Sequence, residues 1–301
     1  MTWSCFMSTR LPLELLLSIF REAAELFVVS DRGTVTSLAL TATFFHATVR
    51  RIAFRRIVVT KGNQDHIKPM LESGSISHLV CDLTLCCSDW SDSKTAAAHL
   101  TNLEALRGYS DTLESIMRHL PSNTLLRALQ FWDFAVQARL GAVVPASVSH
   151  ASLFIDVYDL EHPEKIAAWM MDLPSVTHLG VELVELGPGS ALPADPEELA
   201  TCLEDVLAAI GQRIEQLSMR LCAKVSDELR LRYVAALQTH AQHDSRGLDM
   251  NRRLRIWWDS RAFDDSDADI AASEEDAREH RDVWSEAIPL AEMDATLSSE
   301  A

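Results

Sequence analysis

Ser152-Leu153-Phe154-Ile155-Asp156-Val157 and His178-Leu179-Gly180-Val181-Glu182-Leu183 are the two stretches whose reading decides the fold. Each carries apolar side chains at every second position, the period of a β-strand with one face buried. Segments of the same kind recur on either side, at His78–Leu85, Asn102–Leu106 and Leu126–Phe131 upstream and at Gln216–Leu221 and Arg253–Trp258 downstream. With Leu79, Leu103, Leu129, Leu153 and Leu179 as markers, the steps are 24, 26, 24 and 26 residues, widening to 38 at Leu217 and 39 at Ile256. Helices with readable ends lie between the strands. Asp195 is a good cap, Pro196 fits the first helical position, Glu198 completes a capping box and Gly211 can end the helix in the left-handed conformation. Ser226 caps a run to about His240, and Pro163-Glu164 opens a helix to about Met171. Strand followed by helix at a steady period predicts parallel strands, with each crossover laying its helix on the outer side. A single strand and helix cannot bury their apolar faces alone. The units therefore stack, and their strands form one continuous sheet along the concave side.

That sheet is the predicted binding surface. With Leu153, Ile155 and Val157 turned inward, Phe154, Asp156 and Tyr158 face out, and the same count exposes Arg107, Tyr109, Gln130, Trp132, Glu182, Ser218, Arg220, Arg255 and Trp257. Aromatics interleaved with charges suit a protein-recognition patch, because Trp, Tyr and Arg dominate interface energetics. The competing reading, equally open from the residues, is that these aromatics pack beneath loops.

The composition of the 301 residues, 48% hydrophobic with ten Gly and ten Pro, is that of a folded chain. The net charge of −17 is uneven: the last 43 residues, from Asp259, hold 14 acidic and 3 basic side chains. An acidic end behind a nearly balanced body argues against nucleic acid, since phosphate binding needs clustered Lys and Arg; Arg50, Arg51, Arg55 and Arg56 make too short a block. No apolar stretch approaches the length of a membrane span, and the Leu11–Phe20 run is interrupted by Pro12 and Glu14. The six cysteines include no CxxC pair and read as reduced and buried, which fits the cytoplasm or nucleus.

The sequence carries no complete signature of catalytic or metal chemistry. Gly187-Pro188-Gly189-Ser190 reads as a loop, not a nucleophile elbow, and no Gly-rich phosphate loop occurs. His240 and His243 share a helical face, but no Cys or carboxylate is evident to complete a metal set. Asp265, Asp267 and Asp269 imitate the start of a calcium loop, but Ile270 stands where the turn needs Gly. Ser266 and Ser273 precede acidic residues and are candidate phosphorylation sites. The expectation is a non-enzyme with no cofactor and no metal.

From Thr9 to Ile57 the pattern is helical, with Leu11, Leu15, Ile19 and Phe20 on one face and a second run carrying Leu38, Leu40, Phe44, Phe45, Val49, Ile52 and Phe54. That is more large apolar surface than three short helices can hide, so part of it should face a partner or the next domain. Leu11-Pro12-Leu13-Glu14-Leu15-Leu16-Leu17-Ser18-Ile19-Phe20, with Leu38–Phe45 and Val49–Ile57, resembles an F-box, whose family opens Leu-Pro-x-Glu-hydrophobic-Leu. Thr41-Ala42-Thr43 stands where that family usually has a Cys-Arg or Ser-Lys pair. The remainder is similar to the degenerate leucine-rich arrays that follow the F-box in many fungal proteins. The resemblance implies an α/β chain: a three-helix F-box module at 9–57, a leucine-rich-repeat-like parallel-sheet solenoid with outer helices at 58–263, and an acidic tail at 264–301. It also implies a substrate-recognition subunit of a cullin-type (SCF) ubiquitin ligase. Leu11, Pro12, Leu15, Leu16, Ile19, Leu40, Phe44 and Phe45 would meet a Skp-type adaptor, while the array holds an unspecified target protein. The alternative is a leucine-rich-repeat-like interaction scaffold unconnected with ubiquitin, its first helices serving only to cap the array.

Overall fold

The computed structural model describes residues 43–87, 90, 94–133, 144–155, 157–184, 195–222, 226–243, 246–259, 275–276 and 281–293, with 18, 19 and 22 upstream. For 43–47, 157, 158, 184, 222 and 227 it describes the backbone alone. The chain is α/β, built on a nine-stranded sheet whose spatial order is its sequence order. The strands are β1 (Arg56–Val59), β2 (Asp82–Leu85), β3 (Ala105–Gly108), β4 (Ala128–Phe131), β5 (His150–Ile155), β6 (His178–Val184), β7 (Gln216–Cys222), β8 (Leu254–Asp259) and β9 (Ile288–Pro289). The first eight pair in parallel and β9 pairs antiparallel with β8. Interleaved are α1 (Thr43–Ala53), α2 (Gln64–Glu72), α3 (Lys94–Ala97), α4 (Ser110–Met117), α5 (Val157–Leu160), α6 (Pro163–Met170), α7 (Pro196–Ile210), α8 (Asp227–Gln242) and α9 (Met250–Arg253), with α10 (Val283–Glu286) after β8.

Sequential order with crossovers of one hand puts the intervening helices on a single face. The register shows what they cover. Ile57, Leu83, Leu106, Leu129, Ala151, Leu179, Leu217 and Leu254 align across the sheet, and two residues on so do Val59, Leu85, Gly108, Phe131, Leu153, Val181, Met219 and Ile256. Apart from Gly108, these residues join Leu113, Ile116, Ile166, Leu203, Val206, Val234 and Leu237 of the helices in one buried core. Each large aliphatic or aromatic side chain so buried contributes about 1.5–3 kcal/mol before chain entropy is counted. The aligned residues give strand-to-strand steps of 26, 23, 23, 22, 28, 38 and 37 from Ile57 to Leu254.

The sequence markers were partly out of register. Leu79 lies in a 3-10 turn at Ser77–Leu79 and Leu103 precedes β3, while Leu153 belongs to the second ladder and not the first. β1 and β9 are additional strands, and β1 spans the point at which the sequence divides the N-terminal module from the array. Its second residue, Ile57, reads from sequence as the close of a helical segment.

The expected helix ends are largely present. Asp195 accepts from Glu197 N at 3.1 Å with Pro196 in the first turn, Gly211 follows α7 with φ +69°, and Ser226 accepts from Leu229 N at 3.3 Å. Glu198 contributes its backbone N–H to Asp195 O. At the other end, α1 docks on the array: Val49 is buried, Phe54 packs against the core, and Arg50 donates to Ser75 O at 2.8 Å. Among the described residues no helix is long and apolar enough to cross a membrane.

Candidate binding face of the sheet

The face turned away from the helices carries the alternate residues of every strand. Three rows run across it. The first is Asp82, Ala105, Ala128, His150, His178 and Gln216; the second is Thr84, Arg107, Gln130, Ser152, Gly180, Ser218 and Arg255. The third, Phe154, Glu182, Arg220 and Trp257, exists only where the strands are long enough to reach it.

The middle of the second row is small. Ser152, Gly180 and Ser218 form a shallow trough with an arginine toward either end, Arg107 and Arg255. Into that trough sits Val283, the first residue of α10. A Cβ built on Gly180 would lie 2.5 Å from Val283 Cγ1 and 2.6 Å from Ser152 Cβ, so only a glycine lets the segment approach this closely.

The chain's own C-terminal segment therefore crosses the face that the sequence reading reserved for a target. Asp282 begins α10 with a capping box, its carboxylate accepting from Trp284 N at 3.1 Å and Ser285 N at 2.8 Å, and it also lies 3.7 Å from Arg107. Trp284 stands edge-on to His150 at 5.5 Å between centroids, and His150 stacks on His178 at 4.2 Å. Beyond the crossing, β9 pairs with the edge of β8, and Leu290 and Met293 enter the core. The crossing residues 281–287 thus run directly into β9, which fixes them to the edge of β8.

A second contact is ionic. Arg220 is 3% exposed and donates to Glu182 Oε2 at 2.8 Å, to Asp259 Oδ2 at 2.5 Å from Nη2 and 3.1 Å from Nε, and to Asp276 Oδ2 at 2.6 Å. Gln130 donates to the other oxygen of Glu182 at 2.6 Å, and the Trp257 ring lies 4.1 Å below the guanidinium. Arg281 stands 3.2 Å from Asp276. Three carboxylates converge on one buried cation, a costly arrangement unless every oxygen is answered. Burial, the largest influence, together with the nearby Asp276 holds the Glu182 carboxyl above its ordinary value, against the charge and hydrogen bond of Arg220 and the hydrogen bond from Gln130.

Of the residues expected on this face, Arg107, Gln130, Phe154, Glu182, Ser218, Arg220, Arg255 and Trp257 are on it. Glu182 and Arg220 are buried against the C-terminal segment and each other, not open to solvent. Trp132 is buried and meets Tyr109 edge-on at 6.3 Å, and Tyr109 is the residue that caps α4. Strand β5 ends at Ile155 and Tyr158 lies in α5, because the chain turns helical at Val157; Asp156 is outside the described residues. The sequence reading missed His150, His178, Gly180 and Asp276. Gly180 inside an otherwise regular strand was the available signal, since such a glycine marks close approach of another backbone.

Other expectations resolve locally. His240, for which the sequence offered no carboxylate, has two from α7: Nε2 lies 3.0 Å from Glu197 and Nδ1 3.2 Å from Glu204. His243 instead bonds Thr239 O at 2.8 Å. Among the described residues no group of three or more His, Cys, Asp or Glu could hold a metal ion. Cys86 and Cys87 are buried, whereas Cys81 and Cys202 are half-buried. Leu11, Pro12, Leu15, Leu16 and Leu40 lie outside the described residues, as do the side chains of Phe44 and Phe45, residues 187–190, the Asp265–Asp269 run, Ser266 and Ser273. Ile19 is described, and its side chain is 48% exposed. Comparison with known proteins finds no matching family model, no matching curated protein and no matching solved structure.

Proposed function

We propose that this chain is the substrate-recognition subunit of a cullin-type ubiquitin ligase, with an F-box at residues 9–57 and a leucine-rich-repeat-like solenoid at 58–263. The observation that carries the reading is a conjunction. An F-box-like opening, Leu11 to Phe20, precedes a sequentially ordered sheet, parallel through β8, whose crossover helices lie on one face while the other is crossed by the C-terminal segment. The exposed Ile19 supports the adaptor half, because an apolar side chain left in water on a small helical module is what a Skp-type partner would cover. The half-buried Phe154, Trp257, Arg107 and Arg255 on the same face support the target half. The protein acts by proximity: the adaptor end fixes the ligase, the sheet fixes the target, and the rigid array sets the distance between them.

The test is co-elution. The purified protein should form a stable complex with a Skp-type adaptor on size exclusion. Leu11→Ala with Pro12→Ala should abolish the complex and leave the circular dichroism of the array unchanged. If the double change instead melts the whole chain, the first helices are a cap on the array and the scaffold reading replaces this one.

A further inference from the structure

Two features of the crossing segment set it apart from an ordinary end cap. The part that caps the sheet, β9 with Leu290 and Met293, is joined by ladder hydrogen bonds and by entry into the apolar core. The part that crosses the far face makes no ladder pairing with it in the described residues. It is held there by polar and aromatic contacts: Asp276 on Arg220, Asp282 beside Arg107, Val283 in the Ser152–Gly180 trough and Trp284 against His150. Side-chain contacts of this kind are what a peptide makes when it binds a protein surface, with an apolar anchor in a pocket and charges fixing its register. The stretch is also strongly acidic: residues 260–287 hold ten Asp and Glu against three Arg.

We infer that Asp276 and residues 281–287 are an internal stand-in for the target, and that the target is an acidic peptide segment that enters the same trough by displacing them. The inference rests on the reading that this sheet holds a target, and it names that target's chemistry. The recognised pattern is the segment's own: a carboxylate for Arg220, and six residues on a carboxylate for Arg107 followed by an aliphatic and an aromatic side chain. The anchors at Asp259 and β9 stay in place, so displacement leaves the core closed. A tethered segment competes at an effective concentration on the order of millimolar, which makes the intact chain a weak binder until the segment is loosened.

The probe is a fluorescein-labelled peptide of residues 272–287, titrated into the full-length chain and followed by anisotropy. Val283→Ser with Trp284→Ala in the protein weakens the internal segment and leaves the trough intact. The labelled native peptide should bind this variant at least tenfold more tightly than it binds the unaltered chain. A peptide carrying Asp276→Asn and Asp282→Asn should lose most of that affinity. Equal affinity for variant and unaltered chain, or no binding to a variant whose circular dichroism is native, overturns the inference. Equal affinity of the two peptides overturns the acidic specificity. Should the variant not fold, hydrogen exchange on the unaltered chain decides. Amides of 283–287 exchanging at least tenfold faster than those of β6 and β7 support displacement, and equal protection refutes it. No adaptor is present in these measurements, so their failure leaves the co-elution result untouched.

Discussion

The two halves of the sheet are built on different strand lengths. β1 to β4 are four residues each, with 22 to 26 residues between aligned positions of neighbouring strands up to β5; β5 to β8 are six or seven residues, with steps of 28, 38 and 37. A four-residue strand offers the far face two side chains, and a longer one offers a third. That third row holds Glu182, Arg220 and Trp257, and the long crossovers hold α7 and α8, of 15 and 16 residues. Added chain thus went into a deeper sheet, and the extra depth is where charge is buried and the C-terminal segment is held. In the short half the corresponding cation, Arg107, keeps looser company, 3.3 Å from Asp82 and 3.7 Å from Asp282.

The sharpest way to break this contrast is at the two arginines. Arg220→Met removes the cation that three carboxylates share, and should cost about 3–5 kcal/mol in urea denaturation because the buried acids are left uncompensated. Arg107→Met should cost about 1 kcal/mol or less, since its partners keep some access to water. Equal losses at the two sites would show that the third row is no different in kind from the second.

A smaller effect is expected at Gly180. Alanine there meets both Val283 and Ser152, so the substitution should cost about 1–3 kcal/mol through overpacking. Because Val283 can yield and the β5 backbone cannot, the amides of 283–287 should lose exchange protection before those of β5 and β6. Loss spread evenly over sheet and segment would mean that the contact is part of the core.

Much of this architecture is legible in the residues. Leu153, Ile155, Leu179, Val181, Leu183, Leu217 and Leu221 announce buried strands by alternation, and Asp195, Pro196 and Ser226 announce helix starts by local hydrogen-bonding chemistry. What escaped depends on distant parts of the chain meeting. Alternation sends Glu182 and Arg220 away from the helices but says nothing about what covers them there. Asp276 looks like any acidic tail residue until Arg220 is beside it, and His150 and His178 become a stack only once β5 and β6 are in register. The short strands misled by phase: Leu79 and Leu103 sit in the turns before β2 and β3, because leucines that close a turn and leucines that line a ladder are alike in sequence. Asp282 and Trp284 lie outside any repeat, so no period could place them.

The smallest effect separates the first row from the third by the sign of its response to pH. His150 is held below its ordinary proton affinity, first by burial and then by the neighbouring His178, while Asp282 pulls the other way. Beside it also stand the Ser149 hydroxyl, 2.9 Å from Nδ1, and the Trp284 ring. A base with its folded value lowered binds a proton more readily in the unfolded chain. Its contribution is therefore complete above the ordinary value of 6.5 and is lost as pH falls below it. Glu182 acts in the opposite sense. With its folded value raised above 4.5, its contribution is complete below that pH and is lost as pH rises through the folded value. His150→Phe keeps a ring between His178 and Trp284 and removes the titration. The drop in melting temperature between pH 7.5 and pH 5.5 should be smaller in this variant than in the unaltered chain. Glu182→Gln should steepen the loss of stability as pH falls toward 4.5, since the group that gains on acidification is gone. Parallel shifts in both variants would mean that neither row titrates with the fold.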